Sequence, residues 1–483
     1  MKREFLLNIA LLLVLNFVIK PLYIFGVDRQ IQLQLPEDYT LFSTIFNSFL
    51  VLKVFSDFGM QSQVTRKIAE NPSNFRSIFS SYFATISFLN LAFLFMAMGL
   101  YFAFFSNVMT IEMAFFICLI PISNTFMTFL RANMAGLGYY RTDSWLSVLD
   151  RTFLLITLGG ILLGFIPTWH INIWDFIIFQ IISNTLVCLV VVFLLRHQIF
   201  PLKINISFRK IWLIILEASP VALSILLMSI YYRADSFWVK QFAPSDWVEI
   251  NSDYFKIFRI IDALNMIGML FAGLLLPMFA RLGKSEDALK LMHLSSKIII
   301  IICLLGILPM AIFTEDLLQL LYGNGSEALV GPFRWFLWSF FGMSLIYIFS
   351  TILTANGLIG KLNPYFLAAI LLSILLHGLL DAKYGLWGAV IANTSAILFV
   401  GISSVWVSFV HFPSDLWNGI NVGRLLVLAT ISILVGMAIK HNTELPWWLQ
   451  AILLNLLVLL FAIFLKIFSI NNVIFILKRN VKL

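Results

Sequence analysis

Three charged side chains recur at every third residue of an apolar segment in this sequence of 483 residues: Lys256, Arg259 and Asp262. On a helix they share one face, while phenylalanine and isoleucine cover the others. An ionisable side chain inside a membrane is costly when it faces lipid, so this face should line a polar interior. Two cations against one carboxylate leave a positive excess that attracts an anion, and a guanidinium suits phosphate.

Further cations lie within or beside apolar segments, and they extend the candidate substrate-binding site. We predict a cationic cavity formed by Arg259, Lys256, Lys20, Lys53 and Arg233. A long basic side chain near the end of a span can also extend to the membrane interface, and that alternative stays open for all but Arg259.

Acidic and polar residues in other apolar segments are candidates for ion coupling. Glu217 lies one turn before Pro220, so it is either a hydrogen-bonded helix residue or a proton or cation site. His377 lies one turn before Asp381, and Asn393 and Thr394 follow in the next segment. The predicted coupling set is Glu217, Asp235, Asp262, Asp381 and Thr394.

Motifs for enzymatic chemistry do not occur in a fitting context. The sequence has no H-E-x-x-H zinc motif, no phosphate loop and no paired aspartates for a sugar nucleotide. Cys118, Cys188 and Cys303 lie in apolar segments without C-x-x-C spacing, which indicates packing residues. We therefore predict no catalytic residue, no metal and no cofactor, with transport energy supplied by a proton or sodium gradient or by substrate flow.

Composition predicts a polytopic membrane protein. The chain is 61% hydrophobic and 12% charged, with a mean hydropathy of +0.96, and its net charge of +8 is scattered over short loops, which does not favour nucleic-acid binding. A crossing takes about 20 helical residues. We predict about fourteen spans near residues 6–25, 41–58, 78–105, 111–130, 145–166, 173–195, 212–232, 254–278, 294–313, 333–353, 365–380, 386–409, 425–439 and 449–468.

Loop charges and a repeat predict the topology. Basic residues concentrate in alternate loops, which places both termini in the cytoplasm, with Lys478, Arg479 and Lys482 near the end. The segment Leu130-Arg131-Ala132-Asn133 recurs six helices later as Leu353-Thr354-Ala355-Asn356, as in a parallel repeat. We predict an all-α protein with six-helix lobes at 1–205 and 206–415, facing each other around a pseudo-two-fold axis, and two added helices with a tail at 416–483.

Four segments carry a resemblance to a known family. Phe55-Ser56-Asp57-Phe58-Gly59-Met60 resembles the loop after the second helix of Wzx-type polysaccharide and O-antigen flippases, in the multidrug/oligosaccharidyl-lipid/polysaccharide (MOP) exporter superfamily. The segments 231–236, 276–282 and 384–389 resemble the second half of that family. The likeness covers nearly the whole chain.

The resemblance implies a MATE-like fold and a function in surface-polysaccharide biosynthesis. Alternating access would move an undecaprenyl-diphosphate-linked oligosaccharide, such as an O-antigen unit for lipopolysaccharide, to the outer leaflet of the bacterial inner membrane. The implied partners are that lipid-linked glycan, membrane lipids, a polysaccharide polymerase and a chain-length regulator. The resemblance extends to MurJ-type lipid II flippases, whose cavity arginines correspond to Lys20, Lys53 and Arg259. The sodium site of those flippases maps onto Asp235, Asp381 and Thr394.

Two alternatives remain beside the flippase. A cation-coupled multidrug antiporter of the same superfamily predicts acidic residues without surplus cations. A membrane-embedded glycan polymerase or glycosyltransferase predicts a larger extracytoplasmic loop or a sugar-nucleotide motif. The positive charge of the predicted cavity favours the flippase, and His377, at a position where a neutral amide is expected, leaves proton and sodium coupling open.

Overall fold

A computed structural model describes residues 16, 18–165, 167–201, 207–282, 286–323, 326–412, 422–465 and 467. Within these ranges the chain is helical and contains no strand, so the predicted all-α class is confirmed. The first residues of span one and the basic tail with Lys478, Arg479 and Lys482 lie outside the described residues, as do the start of the predicted 416–483 region and the end of span fourteen.

The chain divides into two compact units, unit 1 from Met1 to Phe255 and unit 2 from Lys256 to Leu483. The boundary falls inside one long helix, Trp247–Leu282. The lobes at 1–205 and 206–415 stay a prediction, because compact units and sequence repeats need not share a boundary.

In unit 1, a π-helical turn lies at Tyr23–Asp28, after the partly described helix of span one. Unit 1 also has a 3₁₀ turn at Pro72–Asn74. Its α-helices are α1 (Arg29–Gln34), α2 (Pro36–Leu52), α3 (Val54–Asp57), α4 (Met60–Glu70), α5 (Phe75–Phe104), α6 (Ile111–Gly136), α7 (Tyr140–Leu162), α8 (Ile173–Leu194), α9 (Arg196–Ile199), α10 (Phe208–Arg233), α11 (Asp235–Phe242) and the first part of α12 (Trp247–Leu282).

Unit 2 holds the rest of α12 and a 3₁₀ turn at Ile359–Leu362. Its other helices are α13 (Glu286–Ile312), α14 (Thr314–Tyr322), α15 (Glu327–Ala355), α16 (Asn363–Tyr384), α17 (Leu386–His411), α18 (Val422–Asn442) and α19 (Trp447–Phe464).

Eleven helical segments of the described chain are long and apolar enough to cross a membrane. They correspond to predicted spans three to seven and nine to fourteen. The helix of span one is only partly described, span two is interrupted after Leu52, and span eight is the charged helix α12. About fourteen spans therefore fit the chain.

A tight turn interrupts the helical path after span two. Phe58 and Gly59 both have left-handed backbones, with φ of 50° and 67°, which glycine adopts without strain and phenylalanine does not. The carboxylate of Asp57 accepts hydrogen bonds from the Gly59 amide and the Gln61 side chain, both at 3.0 Å. This turn reverses the chain into the amphipathic helix α4.

Glycines allow the closest helix packing in unit 2. A Cβ added to Gly401 on α17 would lie 2.8 Å from the Gly342 carbonyl oxygen on α15. At the start of α17, a Cβ on Gly388 would lie 2.6 Å from the carbonyl carbon of Leu380 on α16. Small residues let helix backbones approach within the membrane, and these two contacts fix α15, α16 and α17 as a compact core.

Candidate functional site

Two predicted cavity cations of unit 1 bind neutral amides. The Lys53 ammonium, just after α2, donates to Asn124 Oδ1 on α6 at 2.5 Å. Arg233, at the end of α10, donates to Asn47 Oδ1 on α2 at 3.3 Å, and its guanidinium lies 5.4 Å from the Tyr232 ring centroid. Both basic side chains are half-buried. Arg233 therefore contacts the helix α2, at whose end Lys53 lies.

The charge of these two cations is not balanced by an ion pair. Asp57, the carboxylate nearest to Lys53 in sequence, has one oxygen on the Gly59 amide and the other on Gln61. Among the residues that the structure describes, neither Lys53 nor Arg233 forms a salt bridge. Because an amide oxygen orients a cation without neutralising it, this region of unit 1 keeps a positive excess.

Lys20 belongs to a second charged group in unit 1. It is half-buried, and it is close enough to Arg151 and Asp150 for their charges to interact with its own. Arg151 Nε lies 3.4 Å from Asp150 Oδ2 and its guanidinium lies 4.6 Å from the Tyr23 ring centroid. The carboxylate of Asp28 also interacts with Arg151, so this second group is closer to charge balance than the first.

Glu217 forms an ion pair on the surface of unit 1. Its carboxylate lies 2.8 Å from the Lys67 ammonium of α4, and the two side chains are 46% and 32% exposed. Burial lowers the pKa of Lys67, but its hydrogen bond to Glu217 and the neighbouring Tyr82 side chain outweigh that cost and raise the pKa. The role of Glu217 in ion coupling stays a prediction, and this contact ties α4 to α10.

Asp235 lies in a buried polar cluster at the start of α11. The residue is 2% exposed, and its carboxylate accepts a hydrogen bond from the Tyr254 hydroxyl at 3.0 Å. Beside it, the Asn251 amide donates to the Ser236 carbonyl at 3.0 Å and to the Thr44 hydroxyl at 3.3 Å. Buried carboxylates are stable only with such donors, so the cluster holds Asp235 in place.

In unit 2, the burial pattern of α12 has the period that the sequence predicts. Lys256, Arg259 and Asp262 are half-buried, whereas Ile257 and Ile260 are at most 1% exposed. The backbone oxygen of Lys256 accepts a hydrogen bond from the Tyr322 hydroxyl of α14 at 2.7 Å. The three charged residues therefore share the less buried face of α12.

Within the described part of unit 2, His377 and Asp381 on α16 form a fully buried pair. His377 Nδ1 lies 2.7 Å from Asp381 Oδ2, and both side chains are 0% exposed. Thr394 on α17 is also 0% exposed, and within the described chain its hydroxyl oxygen makes no hydrogen bond. A buried hydroxyl without a partner costs free energy, so the site has an oxygen available for a ligand.

Sequence reasoning missed the partners of these side chains. The sequence did not predict the partners Asn47, Asn124, Lys67 and Tyr254. Each is far in sequence from the side chain that it contacts, or no local pattern links the two, so only the fold brings them together. Groups of three or more His, Cys, Asp or Glu side chains suited to a metal ion do not occur among the described residues.

Comparisons with known proteins show the fold. Neither the family models nor the curated protein sequences yield a match. An outward-facing multidrug resistance MATE family transporter of the MOP superfamily is similar, with a TM-score of 0.62 and 15% identity over 85% of this chain and 96% of that one. The lipid II flippase MurJ, in an inward closed conformation, has a TM-score of 0.57 and 15% identity over 96% and 99%.

A third similar structure is a MOP superfamily transporter from Pyrococcus furiosus, in which reverse polarity of the binding pocket suggests a different function. It has a TM-score of 0.57 and 15% identity over 85% of this chain and 96% of that one. The predicted MATE-like fold is confirmed.

Proposed function

We propose that this chain moves an undecaprenyl-diphosphate-linked oligosaccharide, an O-antigen or another surface polysaccharide unit, from the cytoplasmic to the outer leaflet of the bacterial inner membrane. The observation that carries this proposal is the pair Lys53 and Arg233, which are held by neutral amide oxygens. Their charge remains available for an anion, and a diphosphate is the anion that a lipid-linked glycan offers.

The same charge sign separates the flippase from the multidrug antiporter. A site for cationic drugs needs surplus carboxylates, and the described carboxylates Asp57 and Glu217 are engaged by a turn and by Lys67. MOP superfamily folds accommodate pockets of different polarity, as the Pyrococcus furiosus transporter illustrates. An anionic substrate is therefore compatible with the fold, and it fits the cations Arg259, Lys256, Lys20, Lys53 and Arg233.

Export in cells tests the substrate-binding role. Each variant would replace the wild-type protein, and surface glycan and membrane protein level would both be measured. We expect Arg259→Ala and Arg233→Gln to reduce export at least about tenfold, because each removes a charge-assisted contact to phosphate. Arg259→Lys and Arg233→Lys should retain part of the activity, since they keep the charge but lose the planar fork.

The matched control is Arg66→Gln, which removes an exposed arginine of unit 1 that pairs with Glu70 at 3.7 Å. It should export normally. Normal surface glycan from well-expressed Arg259→Ala and Arg233→Gln variants would overturn the proposal. If the wild-type protein conferred drug resistance and did not export glycan, the antiporter would be favoured.

Ion coupling belongs to the proposed mechanism, with Asp381 and Thr394 as the central candidates. The buried imidazole of His377 can bind a proton. A sodium ion would instead need more oxygen ligands at this position. Vesicles loaded with labelled lipid-linked glycan would be tested with the proton and sodium gradients collapsed separately. Unchanged transport under both conditions would remove the coupling role of Glu217, Asp235, Asp262, Asp381 and Thr394.

The proposed setting is a multi-pass protein with both termini in the cytoplasm. Its partners in the membrane would be the lipid-linked glycan, a polysaccharide polymerase and a chain-length regulator. Accumulation of a lipid-linked glycan on the cytoplasmic face after removal of this protein would support the assignment and identify the sugars.

A further inference from the structure

A large apolar groove lies entirely within unit 2, away from the charged residues discussed above. It has a volume of about 1120 Å³ and is formed by α13, α15, α17 and α18. Its walls are almost wholly hydrocarbon and aromatic, with Ile299, Leu308, Phe341, Trp406 and Ile433 among the lining residues. Several of these side chains are well exposed, including Trp406 at 59% and Ile433 at 38%. Apolar surface of this extent calls for an apolar occupant.

The groove has a charged end. Arg334, Lys440 and His441 line it there, next to the C-terminal end of α13. Arg334 Nε donates to the Ala311 carbonyl at 3.1 Å, and the Lys440 ammonium donates to the Ile312 carbonyl at 3.1 Å. These bonds hold both cations at the mouth of an otherwise apolar space, so the groove is itself amphipathic.

The charge balance at this mouth points to a singly charged head group. Arg334 Nη2 lies 3.2 Å from Glu315 Oε1, so the cations Arg334 and Lys440 together with this carboxylate leave one positive charge in excess. A phosphodiester carries one negative charge and matches that excess, whereas the diphosphate of a lipid-linked glycan carries more. The match favours a phospholipid over the polyprenyl carrier.

The length of the groove is sufficient for lipid chains. Its lining extends along α13 from Ser296 to Ile312, which corresponds to about 24 Å at 1.5 Å per helical residue. One leaflet of the hydrocarbon core is about 15 Å thick. Acyl chains that enter from the charged end therefore remain within apolar walls over their whole length.

We propose that this groove binds an anionic glycerophospholipid, with its phosphodiester at Arg334 and Lys440 and its acyl chains along α13 and α18. With the orientation predicted from loop charges, the head group lies in the outer leaflet. This lipid site does not depend on the proposed flippase function, because none of its lining residues belongs to the predicted substrate or coupling sites.

Lipid binding to the full-length purified protein tests the proposal. Bound lipid would be measured by native mass spectrometry after titration with phosphatidylglycerol or phosphatidylcholine, and thermal unfolding would be followed in parallel. We expect phosphatidylglycerol to bind at least about tenfold more tightly and to raise the unfolding temperature. Arg334→Gln and Lys440→Gln should each weaken its binding about fivefold, because each removes one cation near the phosphate.

Two further variants keep the test decisive if those proteins fold poorly. Glu315→Gln removes the opposing carboxylate and should strengthen phosphatidylglycerol binding about fivefold. Ala429→Trp fills the groove from α18 and should reduce the binding of both lipids. Lys383→Gln, an exposed lysine at the end of α16 outside the groove, is the matched control and should bind like the wild type.

Three results would overturn the proposal. Equal affinity of the wild type for phosphatidylglycerol and phosphatidylcholine would show that the groove does not recognise the negative charge of the head group. Unchanged binding in Ala429→Trp would place the lipid elsewhere. Displacement of phosphatidylglycerol by undecaprenyl phosphate at equal concentration would assign the groove to the tail of a polyprenyl carrier.

Discussion

Two acid–base pairs of this protein have almost the same length and opposite surroundings. Lys67 and Glu217 in unit 1 are 2.8 Å apart with side chains 32% and 46% exposed, whereas His377 and Asp381 in unit 2 are 2.7 Å apart and fully buried. An exposed pair contributes little net free energy because water solvates both separated charges. A buried pair is costly to form and more costly to break. Distance alone therefore does not tell which pair the protein depends on.

The difference separates two kinds of role. The exposed pair links α4 to α10, and the protein does not enclose its two side chains. Thr394 on α17 is likewise fully buried, and within the described chain its hydroxyl makes no hydrogen bond. The buried pair is enclosed by unit 2, so any change in its proton or cation content must be balanced inside the protein. Such a site is suited to coupling transport to an ion, since its charge state and its packing cannot change independently.

Breaking the buried pair should have the largest effect. Asp381→Ala removes the carboxylate that faces His377 Nδ1 in the core, and removing one partner of a buried pair costs about 3–5 kcal/mol. We expect a large drop in the thermal unfolding temperature of the purified protein and loss of export. Glu444→Ala, an exposed carboxylate between α18 and α19, is the control, and equal stability of the two variants would contradict the argument.

Replacing both members of the buried pair should separate stability from function. In the double variant His377→Leu with Asp381→Leu, neither polar member of this pair remains without the other, so at least half of the stability lost in Asp381→Ala should return. Transport should stay low if the pair exchanges a cation. Export at the wild-type level from a stable double variant would show that the pair is only structural.

The sequence predicts one of these pairs better than the other. His377 and Asp381 are four residues apart on a helix, so their contact follows from helical spacing alone. Lys67 and Glu217 are 150 residues apart, and no local pattern brings them together. The same holds for Lys53 with Asn124 and for Arg233 with Asn47, which depend on how α2 packs against α6 and α10.

Hydropathy and periodicity were sufficient for the all-α class, because a helix in a membrane must satisfy its own backbone, whereas the MATE-like fold was predicted from the resemblance of four segments. Eleven of the predicted spans are helices that could cross a membrane, and the charged face of α12 has the predicted period. The apolar groove could not be predicted, since its walls come from four helices and hydropathy does not tell which apolar helices pack together. Of its two cations, Lys440 lies in the last turn of α18, where basic residues are common, whereas Arg334 lies two turns into α15.

The exposed pair should show the smallest effect, and that effect should depend on salt. Lys67→Gln is expected to lower the free energy of unfolding by at most about 1 kcal/mol. The loss should shrink further between 0.15 and 1 M salt, where the screening length falls from about 8 to about 3 Å. Arg66→Gln, which disrupts a pair with Glu70 at 3.7 Å and side chains 64% and 60% exposed, should have a still smaller effect. A loss in Lys67→Gln as large as that in Asp381→Ala, and insensitive to salt, would mean that the Lys67–Glu217 contact is a structural lock, and burial would then not be what distinguishes the two pairs.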